Sequence, residues 1–335
     1  MNNRWDSNTE DEDPQQWRKM TGEERMLLLE HPFILHPQLG RLMVDIDRCA
    51  RHAVKASADT MHQPRSIAIL GMAGVGKTAL SRFWLEAAKS KAFEEGRGGA
   101  FPYLYVSVPP SATPRATTTM KGLLTALLNA VEASRFKEKR RPVSTWDMTR
   151  YLIELLQAAP IHLTFLDNCD RLIDRQIRRI SDPLVGLLKD VTSQARVSMV
   201  LIGRAGETEP IFDTSPQLAR RFESPRYLNP FVWDRDRPET VMECCSLLRT
   251  IDHMLPFDES GLWQEDMAYR LIYATGGFLG WIMKLIQSAA TSAIYMSEST
   301  ISQQRFAEAY TACIAATSQG LDKVNPFLPG NFSEM

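Results

Sequence analysis

The chain has 335 residues, too many for one average domain and comfortable for two. With 44% hydrophobic residues, 24% charged residues and a net charge of −1, it reads as a soluble globular protein with a substantial core and no bulk-charge signal for nucleic acid. An odd count of five cysteines, a polar acidic start and no apolar run near the ~20 residues that span a bilayer exclude a disulfide scaffold, a secretory signal and a membrane protein. Reduced thiols and a cytoplasmic location are the expectation.

Residues 1–20 read as a mobile acidic tail; residues 1–24 hold seven acids against three bases. A helical lead-in, 21–63, follows. Thr21 and Glu24 have capping-box spacing ahead of Met26 to Leu29, and a second helix is expected from about Gln38 to Lys55. From 64 to 233 strands alternate with helices. The strands are SIAIL (66–70), YLYVSV (103–108), IHLTFL (161–166), VSMVLIG (197–203) and a short RYL (226–228). Helices are expected at about 77–93, 117–134, 144–158 and 172–194, the last interrupted near Pro183. This alternation predicts an α/β core with a parallel five-stranded sheet covered by helices. Residues 234–318 read as helices only (238–254, 259–275, 277–296 and 300–317), and 319–335 as an extended tail.

GMAGVGKT, Gly71 to Thr78, matches G-x-x-x-x-G-K-[ST] at every fixed position, after a strand and opening a helix, as a phosphate loop requires. Gly71, Met72, Ala73, Gly74, Val75, Gly76, Lys77, Thr78 and Ala79 would cradle ATP. The glycines let the backbone fold round phosphate, Lys77 reaches the β- and γ-phosphates, and Thr78 offers a hydroxyl to Mg²⁺. Asp167 ends an apolar strand and is the natural second residue for the metal. The next residue is Asn168, and an amide holds a water but takes no proton. Asp170 either aims its carboxylate inward in place of the missing base or caps the helical stretch from Arg171. ATP binding with slow, partner-stimulated hydrolysis is the resulting expectation.

The order of these segments resembles the TniB/TnsC family of AAA+ ATPases, the transposase-regulating subunits of heteromeric transposons. EERMLLLEHPFILHP resembles the family's lead-in, SIAILGMAGVGKTAL its phosphate loop and YLYVSVPPSATP its second strand. HLTFLDNCDRL stands where the family has Asp-Glu-x-His, so the glutamate and histidine are absent. VLIGRAGETEPIFDTSPQLARRFESP resembles the sensor-1 strand with a segment ending in Arg-Phe, and Asn325 to Phe327 (NPF) a short tail motif. The resemblance implies a P-loop NTPase core of AAA+ type at 64–233 and a helical lid at 234–318. It also implies ATP-dependent homo-oligomers, rings or filaments, on duplex DNA that link a target-recognition protein to transposase subunits.

In such assemblies an arginine reaches the neighbour's γ-phosphate. Arg221, beside Phe222, is the first choice and Arg220 the second. Sensor 1 falls at Gly203 or Arg204, and Lys284 is the candidate for sensor 2. Non-specific DNA contact calls for basic side chains spaced along phosphates. Arg115 and Lys121 suit a ring lining by the resemblance, and Lys137, Lys139, Arg140 and Arg141 lie in a run of five bases and one acid at 135–141. Two other readings stand beside this one: a P-loop signalling switch that recruits proteins without DNA, and a helicase-loader or initiator relative.

Overall fold

The computed structural model describes residues 16–30, 33–58, 63–94, 101–111, 118–135, 144–159, 161–213, 215–317, 320 and 323–331. Two compact units emerge: one of residues 37–73 and 77–228, the other of residues up to 36, 74–76 and 229 onward.

The first unit is built on five parallel strands: β1 (Ile67–Gly71), β2 (Tyr103–Ser107), β3 (Leu163–Asp167), β6 (Ser198–Arg204) and β7 (Arg226–Leu228), in spatial order β2-β3-β6-β1-β7. Every residue of β1 and β3 is buried, which is why both read as mostly apolar segments rather than alternating ones: helices cover both faces. β2, at one edge, alternates instead. The covering helices are α2 (Pro37–Ala58), α3 (Lys77–Glu94), α4 (Met120–Arg135), α5 (Thr145–Ala158) and α6 (Asp182–Ser193), with two short turns α7 (Pro210–Asp213) and α8 (Pro216–Ala219). Helix α2 buries Leu39, Leu42, Ile46, Cys49, Ala50, Ala53 and Ala56, a helical stripe that packs beside β3, β6 and β7. Its polar face is tied by Asp45 to Arg226 at 2.7 Å and by Asp47 to the Trp84 indole at 2.7 Å.

The expected helix at 172–194 is corrected. A 3₁₀ turn at Cys169–Leu172 leads into an antiparallel hairpin of β4 (Ile173–Asp174) and β5 (Arg179–Ile180). Asp174 Oδ1 accepts the N–H groups of Gln176 and Ile177, at 2.8 and 3.3 Å, and this side-chain turn competes with the helix. Pro183 sits in the first turn of α6, so it starts that helix rather than interrupting one.

The second unit is helical: α1 (Gly22–Leu29), α9 (Pro238–Met254), α10 (Glu265–Thr275), α11 (Leu279–Tyr295) and α12 (Gln303–Cys313). α10 begins six residues later than expected. The capping box is present, with Glu24 N–H donating to Thr21 Oγ1 and Thr21 N–H to Glu24. Helix α1 belongs with these C-terminal helices, packing on α11, while α2 belongs with the sheet. Residues 16–19, read as part of the tail, form a 3₁₀ turn in which Arg18 pairs with Asp258 at 2.9 Å. Pro326 and Phe327 of the NPF segment are buried here, and Phe327 stacks on Phe306 at 5.4 Å. Residues 74–76 group with this unit, where Gly280 N–H donates to Gly74 O at 2.8 Å.

Candidate nucleotide-binding site

The loop Gly71–Thr78 leaves the carboxyl end of β1 and enters α3 at Lys77. Gly74 (φ +84) and Gly76 (φ +104) hold left-handed backbone, which explains why glycine stands at both places. The first N–H groups of α3 have no partner within the helix, so this end suits an anion. Lys77 Nζ donates to the carbonyls of Gly71 and Met72, both at 2.8 Å. Burial pulls the Lys77 pKa down; the Asp167 and Asp170 charges oppose that shift, and Arg204 adds to it. Met72, Ala73 and Gly74 are exposed, Val75 is buried, and Ala79 is exposed on the first turn of α3.

Asp167 is buried and fully engaged. Its Oδ2 accepts the hydroxyls of Thr78 and Tyr105, both at 2.7 Å, and its Oδ1 accepts Asn168 N–H at 2.7 Å. Order in the sheet makes this possible. β6 lies between β1 and β3, so Thr78 on α3 meets a strand two places away. Tyr105 was not singled out in the sequence. The signal was period two: Tyr105 and Ser107 share a face of β2, and Ser107 pairs in register with Asp167. Burial and the bond to Asp167 push the Tyr105 phenol above its ordinary range, so it stays a donor.

Among the described residues no group of three His, Cys, Asp or Glu side chains could hold a metal. One carboxylate and one hydroxyl 2.7 Å apart are nonetheless the donors Mg²⁺ uses beside phosphates, because it keeps several waters. Thr78 and Asp167 would hold it, and ATP would bring the metal its phosphate oxygens.

Asn168 adopts the left-handed region (φ 60, ψ 41), which asparagine tolerates better than most side chains. Its Nδ2 donates to Ser107 Oγ at 2.9 Å, so the amide is held toward β2. Asp170 lies inside the 3₁₀ turn, and its carboxylate caps no backbone N–H among the described residues; its charge instead acts on Lys77. Arg204 pairs with Glu207 at 2.6 Å, and a Cβ at Gly203 would collide with Thr208. Lys284 lies 4.8 Å over the Trp281 ring.

Arg220 and Arg221 follow α8 at the opposite edge of the sheet. Ser66, just before β1, donates its N–H to Arg221 O and bridges to Phe222. Lys121 is exposed on α4, whereas Arg115, Lys137, Lys139, Arg140 and Arg141 lie outside the described residues. All five cysteines are free, and burial pushes the Cys49 and Cys244 thiols up to about 12. Among the described residues no helix is long and apolar enough to cross a membrane.

A five-stranded parallel sheet in this order, with a phosphate loop after β1 and an aspartate ending β3, is the fold of the AAA+ P-loop ATPases. Three solved structures share it. ORC2 of Aeropyrum pernix, in ADPNP–ADP complexes, aligns with a TM-score of 0.59 at 15% identity over 85% of this chain and 71% of that one. ORC1 of the same organism, in complex with DNA, aligns at 0.54 and 18% identity over 86% and 69%. Cdc6p of Pyrobaculum aerophilum aligns at 0.57 and 13% identity over 87% and 72%. The model of the bacterial TniB protein family matches residues 33–231, and the chain belongs to that family. No curated protein sequence matches it significantly.

Proposed function

We infer that the chain is an ATP-operated regulator of DNA transposition that assembles on duplex DNA and links a target-recognition protein to transposase subunits. Membership of the bacterial TniB family carries this reading. The Thr78–Asp167 pair beside a complete phosphate loop supports ATP and Mg²⁺ as its ligands. A solved protein of the same fold is in complex with DNA, which supports the DNA arm. That likeness to ORC and Cdc6 proteins also favours a second reading, an initiator-like ATPase that meets a replicative helicase instead of a transposase.

Arg221, with Arg220 beside it, acts on a neighbour's nucleotide. These residues lie at the amino edge of the sheet and the phosphate loop at its carboxyl edge, one five-residue strand apart. At about 3.3 Å per residue that is roughly 16 Å, beyond the reach of an arginine in the same chain. Lys121 and the basic residues at 115 and 137–141 supply phosphate contacts to DNA.

The deciding experiment is fluorescence anisotropy of labelled duplex DNA at fixed moderate salt, in ATP, in ADP and without nucleotide. Tight, sequence-indifferent binding in ATP alone is expected. Absence of binding in every state, with ATP binding confirmed, would leave a protein-recruiting switch.

Slow hydrolysis follows from Asn168. A general base contributes about 10²–10⁴-fold. Asn168→Glu is therefore expected to raise steady-state phosphate release by about 100-fold, the low end, because glutamate in left-handed backbone costs about 1–2 kcal/mol. An unchanged rate at saturating ATP would mean that activation of water at this position does not limit turnover.

A further inference from the structure

Asp167 receives one hydrogen bond that neither the phosphate loop nor its own strand supplies. Asn168 N–H donates to Oδ1, and the hydroxyls of Thr78 and Tyr105 both donate to Oδ2, each bond 2.7 Å long. The Thr78 bond belongs to the pair that would hold the metal. The Tyr105 bond comes from β2, at the edge of the sheet.

Geometry explains why a tyrosine makes it. β2 and β3 run parallel, with Tyr105 beside Phe165 and Ser107 beside Asp167, so Tyr105 stands two residues behind Asp167 on the same face. Two residues of strand advance about 6.6 Å, a distance that a tyrosine spans and a serine or threonine does not. Helix α3 covers this face. Its Trp84 ring lies 4.9 Å from Tyr103 and 5.4 Å from Phe165, and the Trp84 indole is anchored on Asp47 at 2.7 Å. The Arg82 guanidinium, one turn beyond Thr78 on α3, approaches the phenol oxygen. A cation beside that oxygen makes the hydroxyl a stronger donor toward a carboxylate.

A carboxylate offers about four acceptor positions, and three protein donors leave Asp167 about one, in one orientation. Mg²⁺ demands near-ideal octahedral geometry from few protein oxygens, so it gains from oxygens placed beforehand. We propose that Tyr105 is a positioning residue for Mg²⁺: its hydroxyl fixes Asp167 Oδ2 against Thr78, so that the metal meets a carboxylate already in place. This role rests on ATP and Mg²⁺ as the ligands of the site, as inferred above. It adds that an edge-strand phenol, which touches neither, sets how much Mg²⁺ the site requires.

The test is binding of a fluorescent ATP analogue to the full chain over a series of free Mg²⁺ concentrations and in EDTA. Tyr105→Phe keeps the ring, and Thr78 still donates to the same oxygen, so the fold is retained. Removing an outer partner of a metal-holding side chain typically costs about 10–100-fold in metal affinity. Tyr105→Phe is therefore expected to raise the Mg²⁺ concentration for half-maximal effect by about tenfold, the low end, because Thr78 and Asn168 remain on Asp167. Affinity in EDTA should stay at the native value. Tyr103→Phe, on the same face and further from Asp167, should leave the Mg²⁺ requirement unchanged. A requirement unmoved or lowered by Tyr105→Phe would overturn the proposal. So would an equal rise in Tyr103→Phe, which traces the effect to packing, or an equal loss of affinity in EDTA, which makes Tyr105 structural. A native chain that binds no analogue at any Mg²⁺ concentration would remove the nucleotide reading itself, and the role of Tyr105 with it, before any substitution is made.

Discussion

Lys77→Ala is expected to weaken ATP binding by about 100-fold or more and to abolish any ATP-dependent assembly. Lys77 Nζ already faces the two carbonyls that end β1 and open the loop, at 2.8 Å each, so its position is set before a ligand arrives. With phosphate present, those ammonium–carbonyl bonds exchange for ammonium–phosphate bonds, charged on both sides and worth about 1.5–3 kcal/mol each. Losing two of them sets a floor near 3 kcal/mol, which is about 100-fold in affinity. The fold should survive, because Lys77 is only half-buried and the Met72 carbonyl belongs to an exposed residue that water can reach. The measurement is the dissociation constant for a fluorescent ATP analogue, with far-ultraviolet circular dichroism as the control. Affinity within threefold of the native chain would remove the phosphate loop from nucleotide binding.

Phe327→Ala is expected to destabilise the helical unit by about 3–5 kcal/mol, the range for emptying a buried aromatic site. Phe327 is 1% exposed, stacks on Phe306 at 5.4 Å and lies 6.4 Å from the Tyr310 ring. The chain around it is pinned as well. Phe327 N–H donates to Asn325 Oδ1, Asn325 Nδ2 to Ala307 O, Gln303 Nε2 to Phe327 O and Arg270 to Pro326 O. Those bonds keep the segment in place, so the cavity cannot simply collapse, and the loss falls at the upper side of the range. Urea unfolding of the full chain reads it as a lowered midpoint at constant slope. A loss below about 1 kcal/mol would mean that the NPF segment is dispensable for packing.

Much of this was legible from residues alone, for identifiable reasons. β1, β3 and β6 are mostly apolar along their length because both faces are covered, and a segment of that kind is legible whatever its neighbours. The phosphate loop was legible because its requirement is local: left-handed backbone at Gly74 and Gly76, then a helix. The hairpin at 173–180 was not. Two-residue strands leave no periodicity, and the Asp174 side-chain turn that makes them is indistinguishable in sequence from a helix-tolerant aspartate. The last segment read as extended because Pro and Gly dominate it, yet its aromatic ring is core.

The sequence by itself determined the glycine-rich loop, the lysine and threonine that end it, the strand that carries Asp167 and the amide that follows in place of a base. Each depends on the chain within a few residues. Only the tertiary structure decided that Thr78 and Tyr105 converge on one carboxylate oxygen and that Ser107 holds the Asn168 amide. Those meetings depend on the strand order β2-β3-β6-β1-β7 and its register. Order and register are set by burial summed over the whole sheet, which no local stretch of the chain encodes.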